Sequence, residues 1–385
     1  MRLSDCHNTA DFRELARRRL PAPLFHYIDG GADDELSLAR NVAAFDAVDL
    51  VPRVLAGIDE INLTTTVLGQ KLGLPLFYSP TAMQRLFHHE GERAIASVAS
   101  EFDTLFGLST IGTRSIEEMG NYDAPKLFQL YVHEDPALTR DLVSRCRDAG
   151  FDALALTVDT VVAGNRERDY RTGFTTPLRL TPRSLLSFAS HPRWSLNYLL
   201  RERFDLPNVS RYISAGSSVA ASVMEYIDSQ MKTAIDWDDA AAIIEQWGGP
   251  FAIKGLVSPD DARRAVDVGA TAIMISNHGG RQLDGTVAPF DQVKAIRDEV
   301  GKDIEIIVDG GVRRGTDVIK ALAAGADCCA GGRFYLYALA AAGAHGVRRA
   351  TQLLRDELVR DMRLMGVGHI SDLDASHLRW RHTHD

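Results

Sequence analysis

The strongest constraint on how this chain folds is a series of eight short apolar runs that alternate with helical segments. Within each run the apolar residues are continuous, as expected for strands that are buried on both faces of a parallel sheet. Eight strand–helix units favour an α/β fold of the (β/α)8, or TIM, barrel type over a doubly wound sheet. The predicted strands are residues 74–80, 104–110, 126–132, 153–159, 251–255, 272–278, 305–310 and 328–332.

Capping signals mark the helices predicted between these strands. Asp135 and Ser258 each offer a side-chain oxygen in front of a proline, which is typical of a helix that begins at that proline. Gly150, Gly269 and Gly325 follow the last predicted helical turns and are expected to end their helices.

Two segments interrupt the alternation inside a predicted single domain of residues 1–385. Residues 1–70 are predicted to be a mostly helical segment before the first barrel strand. Residues 161–250 separate strands four and five, and from about 175 to 235 we expect a lid or surface insertion. The alternative is membrane contact through an aromatic and basic stretch that contains Arg193, Trp194, Tyr198, Leu199, Leu200 and Arg201.

Composition limits the classes of partner. The net charge is −9 (43 Lys+Arg against 52 Asp+Glu), and without a basic stripe we expect no nucleic-acid partner. Four cysteines show no metal-type spacing, so no metal site is predicted, and Cys328 and Cys329 fit a buried strand as reduced thiols. No signal peptide and no spanning run of roughly 18 to 20 apolar residues are evident, so we expect a cytoplasmic protein, peripheral to the membrane at most.

Polar side chains are concentrated where the predicted strands end. In a (β/α)8 barrel the carboxyl ends of the strands surround the active site. One polar residue at a strand end is ordinary, but their presence at all eight ends indicates a site. These residues are Thr81, Ser109, Gln129, Tyr131, Thr157, Asp159, Lys254, Ser276, His278, Arg281, Asp309, Arg313 and Arg333.

The glycine pairs at 310–311 and 331–332 follow strands seven and eight. Without side chains, their backbone N–H groups can approach a phosphate closely, and Arg313 and Arg333 can add positive charge. The alternative is that both pairs form ordinary tight turns. No G-x-G-x-x-G motif follows the first strand, which disfavours a Rossmann nicotinamide site. A phosphate-bearing ligand in the barrel mouth is therefore predicted.

His278 and Arg281 are close enough in sequence to act from one loop, as a proton acceptor and a bidentate carboxylate ligand. Asp159 is the candidate to orient the imidazole and stabilise its protonated form. Arg166, just after strand four, is a second candidate for binding a carboxylate. For Arg168 we expect a surface ion pair with Glu167 or Asp169.

These strand-end residues form a set of motifs: PTAMQ, FQLYV, TVDT, GNRERD, IKG, SNHGGRQLDG, VDGGVRRGTDV and GGR. With them the chain closely resembles the FMN-dependent 2-hydroxy-acid oxidising family, which includes glycolate oxidase, lactate oxidase and the flavin L-lactate and mandelate dehydrogenases. The resemblance covers nearly the whole chain, including FHYIDGGADDELSL near the start. It implies bound FMN, oxidation of an L-2-hydroxy acid to the 2-keto acid, and a homotetramer.

The resemblance also implies roles at the substrate. Tyr27 and Arg281 match the groups that hold the substrate carboxylate, and Arg166 assists them. Tyr131 matches the tyrosine beside the substrate hydroxyl. His278 matches the catalytic base.

Further roles implied by the resemblance concern FMN. Lys254 matches the lysine at the pyrimidine edge of the flavin, where its charge favours the reduced anionic ring. The positions that match the isoalloxazine lining are Thr81, Ala82, Ser109, Gln129, Thr157 and Ser276. Those that match the ribityl and phosphate contacts are Asp309, Gly311, Arg313, Gly332 and Arg333.

Two pocket positions depart from glycolate oxidase, and the electron acceptor is left open. Ile111 stands where that enzyme has tryptophan, and Ala163 where it has leucine, so we expect a substrate larger than glycolate. Oxygen and a quinone are both candidate acceptors. The alternative functions are an FMN barrel acting on a peptide-derived or other non-hydroxy-acid substrate, and a catalytically silent flavin- or phosphate-binding scaffold.

Overall fold

The computed structural model describes residues 1–175, 179–210 and 231–381. The first 70 residues are helical only as far as Asp46, so the mostly helical segment predicted there is correct in part. Beyond it, Pro52, Gly57 and a β-branched run disfavour helix. The elements are α1 (Thr9–Arg19), α2 (Ala22–Asp29), α3 (Leu36–Asp46), β1 (Val48–Leu50), β2 (Thr65–Val67) and β3 (Gln70–Leu72).

Eight parallel strands then form a closed barrel, which confirms the predicted fold class. Each strand pairs with the next one along the chain, and the last pairs with the first. All eight predicted runs contain one strand, with ends shifted by up to two residues. The strands are β4 (Leu76–Thr81), β5 (Phe106–Ser109), β6 (Lys126–Leu130), β7 (Ala153–Thr157), β8 (Phe251–Leu256), β9 (Ala272–Ser276), β10 (Glu305–Asp309) and β11 (Cys328–Gly331).

Helices surround the barrel, and a short C-terminal strand, β12 (Leu378–Trp380), pairs antiparallel with β1. The last helix is kinked at Ala342 and Gly343. The helices are α4 (Glu92–Glu101), α5 (Ile116–Gly120), α6 (Pro136–Asp148), α7 (Glu167–Thr172), α8 (Pro182–Ala189), α9 (Pro192–Leu199), α10 (Trp237–Trp247), α11 (Pro259–Asp267), α12 (Pro289–Val300), α13 (Gly315–Ala323) and α14 (Arg333–Met365).

The predicted helix signals are confirmed with one exception. Asp135 caps α6 by accepting the backbone N–H of Ala137 over 2.8 Å. Ser258 precedes α11 but makes no such bond, so the cap predicted there is wrong. The glycines expected to end the helices, at positions 150, 269 and 325, all have positive φ angles, which a residue without Cβ adopts readily.

Buried apolar side chains fall into an inner and an outer layer. Inside the barrel, side chains such as Met274 and Ile307 pack together with Val67 and Leu72 of the β2–β3 hairpin. Cys328 faces this inner layer, whereas Cys329 faces the layer between strands and helices, as alternate residues of a strand should. All four cysteines are buried and unpaired.

The insertion after β7 is described apart from residues 176–178 and 211–230, which lie outside the described residues. Helices α8 and α9 pack against each other. Trp194 donates from Nε1 to the carbonyl of Leu86 over 2.8 Å, and its ring stacks on Tyr198. These two aromatic side chains therefore face the protein, and membrane contact through this stretch stays a prediction. Residues 199 and 200 of the same prediction are exposed.

Candidate active site

The carboxyl ends of the barrel strands surround a cleft with about 1330 Å³ of empty space, including its open mouth. Of the predicted site residues, all except Asp159 and Ser276 line this cleft. Those two lie just behind the wall, each hydrogen-bonded to a lining residue, His278 or Lys254. The convergence expected from the strand ends is therefore present.

His278 has an unusual backbone at the end of β9. Its φ is +57°, in the left-handed region, and Gly279 and Gly280 continue with positive φ. For a residue with a Cβ this conformation costs on the order of 1–3 kcal/mol and persists only where the surroundings enforce it. Here the hydroxyl of Ser276 accepts the backbone N–H of His278 over 3.1 Å.

The His278 ring is oriented through its Nδ1. That nitrogen lies 2.9 Å from Oδ1 of Asp159 and 3.1 Å from the Thr160 hydroxyl. Burial acts to raise the pKa of the Asp159 carboxyl, but the neighbouring His278 and Lys254 outweigh burial and hold the pKa below its usual value. Asp159 is thus an anion that favours a proton on Nδ1, leaving Nε2 as the basic nitrogen.

Two guanidinium groups lie around the ring of Tyr27, which lines the same cleft. The distances from ring centroid to guanidinium carbon are 4.8 Å for Arg281 and 5.2 Å for Arg166. Burial, and then the charge of Arg166, lower the pKa of Arg281. A carboxylate bound here would offset the repulsion between the two cations.

The neighbouring arginines differ in their partners. Arg166 lies 3.0 Å from a carboxylate oxygen of Asp169. Arg168 instead contacts Asp29, at 2.9 Å, and Glu35. The surface pair predicted for Arg168 is therefore wrong, because α7 turns this side chain toward the buried carboxylate of α2.

Lys254 lies at the base of the cleft in a buried ion pair. Its ammonium is 2.9 Å from Asp309 and donates to the Ser276 hydroxyl over 3.2 Å. Burial acts to lower the pKa of Lys254, but Asp309 and Asp159 outweigh burial and raise it. The lysine is therefore a permanent cation at the cleft wall.

Several buried polar atoms beside the cleft have no hydrogen-bond partner among the described residues. They include Nε2 of Gln129, Oγ1 of Thr157 and Oδ2 of Asp159. Buried polar groups in proteins are almost always satisfied, so such a set indicates a polar ligand. Unused donors beside the cationic Lys254 fit a flat heterocycle with carbonyl groups along one edge, as in the isoalloxazine of FMN.

The end of the cleft near β10 and β11 has the features expected for a phosphate. Gly332 caps the start of α14, whose first N–H groups favour an anion. Gly311 has φ of +80° and would meet the carbonyl of Asn41 if it carried a Cβ. Arg313 lines the cleft, and its guanidinium donates a hydrogen bond to the backbone carbonyl of Val312.

Arg333 is more tightly held than the sequence indicates. Three guanidinium nitrogens each donate over 2.8 Å, to the carbonyls of Ile28, Gly30 and Gly279. Burial lowers the pKa of Arg333 to about 10. This side chain therefore ties α2 to the loop that carries His278.

Apolar side chains form the remaining wall. Ile111 and Tyr131 belong to a small cluster on which Tyr27 and Met231 pack, and Ala163 leaves space beside them. Met231 is brought here because Lys232 donates its N–H to Val132, next to Tyr131, over 2.9 Å. Met231, Thr160 and Gln282 were not among the residues predicted from sequence.

One group of potential metal ligands lies elsewhere, although no metal site is predicted. Ligand atoms of His88, His89 and Glu90 lie within 4.8 Å of one another. Protein groups already bond to two of them, since Asn197 contacts His89 and Ala344 donates to Glu90.

Comparisons with known proteins agree with this site. The family model for FMN-dependent dehydrogenases matches residues 16–380. The chain belongs to this family. L-lactate oxidase of Nostoc sp. is 41% identical over 376 residues, covering 96% of this chain and 97% of the relative. L-lactate dehydrogenase of Pseudomonas aeruginosa PAO1 is 38% identical over 372 residues, covering 96% and 97%.

A solved structure shows the same architecture in this family. The monotopic membrane protein (S)-mandelate dehydrogenase has 32% identity and a TM-score of 0.93, covering 98% of this chain and 100% of its own. The predictions of family, (β/α)8 fold and FMN cofactor are thereby confirmed, and the protein is an FMN-dependent 2-hydroxy-acid oxidoreductase. No helix in the described part of the chain is long and apolar enough to cross a membrane.

Proposed function

We propose that this protein oxidises an L-2-hydroxy acid with an aromatic or longer aliphatic side chain to the 2-keto acid, with His278 as the base. The observation that carries this proposal is that one cleft brings together the His278–Asp159 pair and the guanidinium groups of Arg281 and Arg166 around Tyr27. The two arginines and Tyr27 hold the carboxylate, which fixes the hydroxyl-bearing carbon in front of His278.

His278 accepts a proton from the substrate at Nε2. Asp159 stabilises the resulting imidazolium through Nδ1. When bound, FMN supplies the two-electron acceptor that completes the oxidation to the keto acid. Lys254 places a fixed positive charge at the cleft wall, and this charge would stabilise negative charge on a flavin bound there.

Tyr131 acts as a neutral hydrogen-bonding group beside the substrate hydroxyl. Burial, and then the charge of Asp159, raise the pKa of Tyr131 to about 12, so the phenol keeps its proton across the neutral range. A phenol that cannot ionise can donate a hydrogen bond to the substrate oxygen without competing with His278 for the proton.

We propose that FMN is held by residues along the same cleft, with its ring at one end and its phosphate at the other. Supporting observations are the unpartnered donors on Gln129 and Thr157 at one end and the N-terminus of α14 at the other. We propose that Thr81, Ala82, Ser109, Gln129, Thr157, Lys254 and Ser276 lie along the ring, and Asp309, Gly311, Arg313, Gly332 and Arg333 along the ribityl phosphate.

The apolar wall supports a substrate larger than glycolate. Ile111 and Ala163 line the cleft beside Met231, with Phe87 next to them. A hydrophobic pocket gains about 0.8 kcal/mol for each methylene that it buries, so an extended side chain is favoured over a hydrogen atom. We therefore propose mandelate and similar acids as substrates.

A substrate panel tests the proposed function. The FMN-loaded enzyme is mixed without oxygen with (S)-mandelate, (R)-mandelate, L-lactate and glycolate, and the loss of flavin absorbance is followed. We expect the highest kcat/KM for (S)-mandelate and the lowest for glycolate. Glycolate as the best substrate would contradict the pocket assignment. Absence of bleaching by every 2-hydroxy acid would favour the alternative, an FMN barrel acting on a non-hydroxy-acid substrate.

We further propose that the surface of α8 and α9 docks on an anionic bilayer and that a quinone reoxidises the flavin. The supporting observation is an exposed leucine face, in which Leu186, Leu199 and Leu200 are 70%, 74% and 78% exposed. Arginines 183, 193 and 201 on or next to the same helices are exposed as well. Leucines edged by cations are typical of helices that lie in a membrane interface.

Sedimentation with phosphatidylglycerol vesicles tests this docking. The doubly substituted L199S/L200S protein should remain in the supernatant, whereas the wild type sediments. Leu364→Ser is the matched control, because Leu364 is 69% exposed on α14, away from the leucine face. Equal sedimentation of all three proteins would contradict docking through α8 and α9. Faster reoxidation of the flavin by oxygen than by a quinone would contradict the proposal that a quinone is the electron acceptor. The cytoplasmic location and the homotetramer stay predictions.

A further inference from the structure

Thr160 directly follows Asp159 at the end of β7 and lines the cleft. Its hydroxyl donates to Oδ1 of Asp159 over 3.0 Å and lies 3.1 Å from Nδ1 of His278. Because Oδ1 of Asp159 is itself 2.9 Å from Nδ1, the three atoms form a closed triangle. A third side chain therefore shares the contact between the carboxylate and the imidazole.

The hydrogens in this triangle can be assigned from the chemistry of each group. A hydroxyl has one proton and two lone pairs. The Thr160 proton points to the Asp159 carboxylate, so a lone pair faces Nδ1 of His278. Nδ1 then meets only acceptors, one charged and one neutral. This arrangement selects the tautomer with the proton on Nδ1 and leaves the lone pair of Nε2 for the substrate.

The backbone around Thr160 is held on both sides. The amide of Gln282 donates to the carbonyls of Asp159, over 3.2 Å, and Val162, over 2.8 Å. The carbonyl oxygen of the same amide accepts the N–H of Gly164 over 3.1 Å. Thr160 lies between these contacts, so its hydroxyl is fixed against the ring.

We propose that Thr160 is a positioning residue, which holds His278 in the tautomer and orientation that direct Nε2 at the substrate. This inference rests on the proposed function, since it assumes that His278 is the base. Thr160 does not bind the carboxylate, for which Arg281 and Arg166 suffice. Its loss should therefore slow flavin reduction and leave substrate affinity unchanged.

Three variants separate positioning from folding. Thr160→Val keeps the branched shape and removes the hydroxyl, whereas Thr160→Ser keeps the hydroxyl. Thr64→Val makes the same chemical change at a half-buried threonine before the barrel, which does not line the cleft. FMN content and thermal midpoint are measured for each, and Thr160→Ala replaces the valine variant if that protein fails to retain FMN.

The measurement is anaerobic stopped-flow reduction of the FMN-loaded enzymes over a range of (S)-mandelate concentrations. Loss of one buried hydrogen-bonding partner corresponds to a limiting rate about 10- to 100-fold lower for Thr160→Val. We expect an unchanged apparent Kd, near wild-type rates for Thr160→Ser, and no effect of Thr64→Val.

The outcomes distinguish the two claims. A wild-type limiting rate in Thr160→Val, or a serine variant as slow as the valine variant, would overturn the role of Thr160 and leave the proposed function standing. A rise in apparent Kd with an unchanged limiting rate would show substrate binding in place of positioning. Failure of the wild type to be reduced by any 2-hydroxy acid would overturn the proposed function itself, and this inference with it.

Discussion

At the scale of single residues, the proposed base, His278, depends on a backbone conformation and on a charge. The left-handed φ of His278 turns its ring toward the cleft, and the Ser276 hydroxyl holds its backbone N–H. The Asp159 carboxylate then fixes which ring nitrogen carries the proton. Neither feature alone makes a base, since strained backbone and histidine–carboxylate pairs each occur in purely structural settings.

Replacing Asp159 by Asn tests the charge in this pair. The amide keeps the shape of the side chain but cannot stabilise the imidazolium, so flavin reduction should slow by about 10²- to 10⁴-fold. Stopped-flow reduction by (S)-mandelate measures this effect. Asp205→Asn, a carboxylate in the insertion, is the control, and equal loss in both variants would contradict the role of Asp159.

Tyr131 makes a prediction about pH. Because burial raises its pKa to about 12, the folded protein keeps the phenol proton above pH 10, where an unfolded tyrosine loses it. The associated stability is complete below pH 10 and is lost as pH rises toward 12. In urea unfolding between these values, wild type should lose about 1 kcal/mol per pH unit more than Tyr131→Phe. If the free energy of unfolding had the same pH dependence in wild type and Tyr131→Phe, the raised pKa of Tyr131 would be contradicted.

Residue identity allowed much of the site to be predicted, but not all of it. The polar strand ends and the SNHGGRQLDG motif indicated His278 and Arg281. Thr160 lies in the quoted TVDT motif, yet its contact with His278 depends on how β7 and β9 are placed in the barrel. Arg168 was assigned to the wrong partner, because its contact with Asp29 joins two segments that are 139 residues apart.

At the scale of elements, β7 and β8 approach each other closely at the site. A Cβ on Gly255 would lie 2.7 Å from Cβ and Cγ of Asp159, and its φ of +111° disfavours any other residue. The glycine thus leaves room for the carboxylate that orients His278. This close approach links the pairing of two strands directly to the chemistry.

Gly255→Ala should therefore displace Asp159 and slow flavin reduction while FMN stays bound. Gly269→Ala is a matched control, because Gly269 also has a positive φ of +87° but an added Cβ there would meet only Ile244, at 4.0 Å. Both variants should lose stability from backbone strain, of about 1 kcal/mol or more. Only Gly255→Ala should lose activity in the stopped-flow assay, and equal activity losses would contradict the packing argument.

Elements differed in how well the sequence predicted them. The barrel strands were predictable because burial on both faces leaves continuous apolar runs. The orientation of α9 was not, because its aromatic and leucine side chains alternate around the helix. Only tertiary contacts, such as the bond from Trp194 to Leu86, decide which of them face the protein.

At the scale of the whole molecule, FMN and the fold depend on each other. The cleft is built from the ends of all barrel strands and from α2, so a ligand there contacts segments throughout the chain. A ligand that binds only the folded state stabilises it by about 4 kcal/mol at a concentration 1,000 times its Kd. Removing FMN should lower the thermal midpoint, and calorimetry of apo- and holoprotein measures the difference. Identical thermal midpoints of apo- and holoprotein would contradict the inference that the unpartnered buried polar atoms contact FMN.

The central claim is that His278 is the base in a cleft that binds FMN independently of it. The most direct test is anaerobic mixing of His278→Ala with (S)-mandelate, next to wild type and to His345→Ala, a change at an exposed histidine of α14. We predict that all three proteins retain FMN and that only His278→Ala fails to bleach, because the proposed phosphate contacts lie on other strands. Bleaching of His278→Ala at the wild-type rate would contradict the claim.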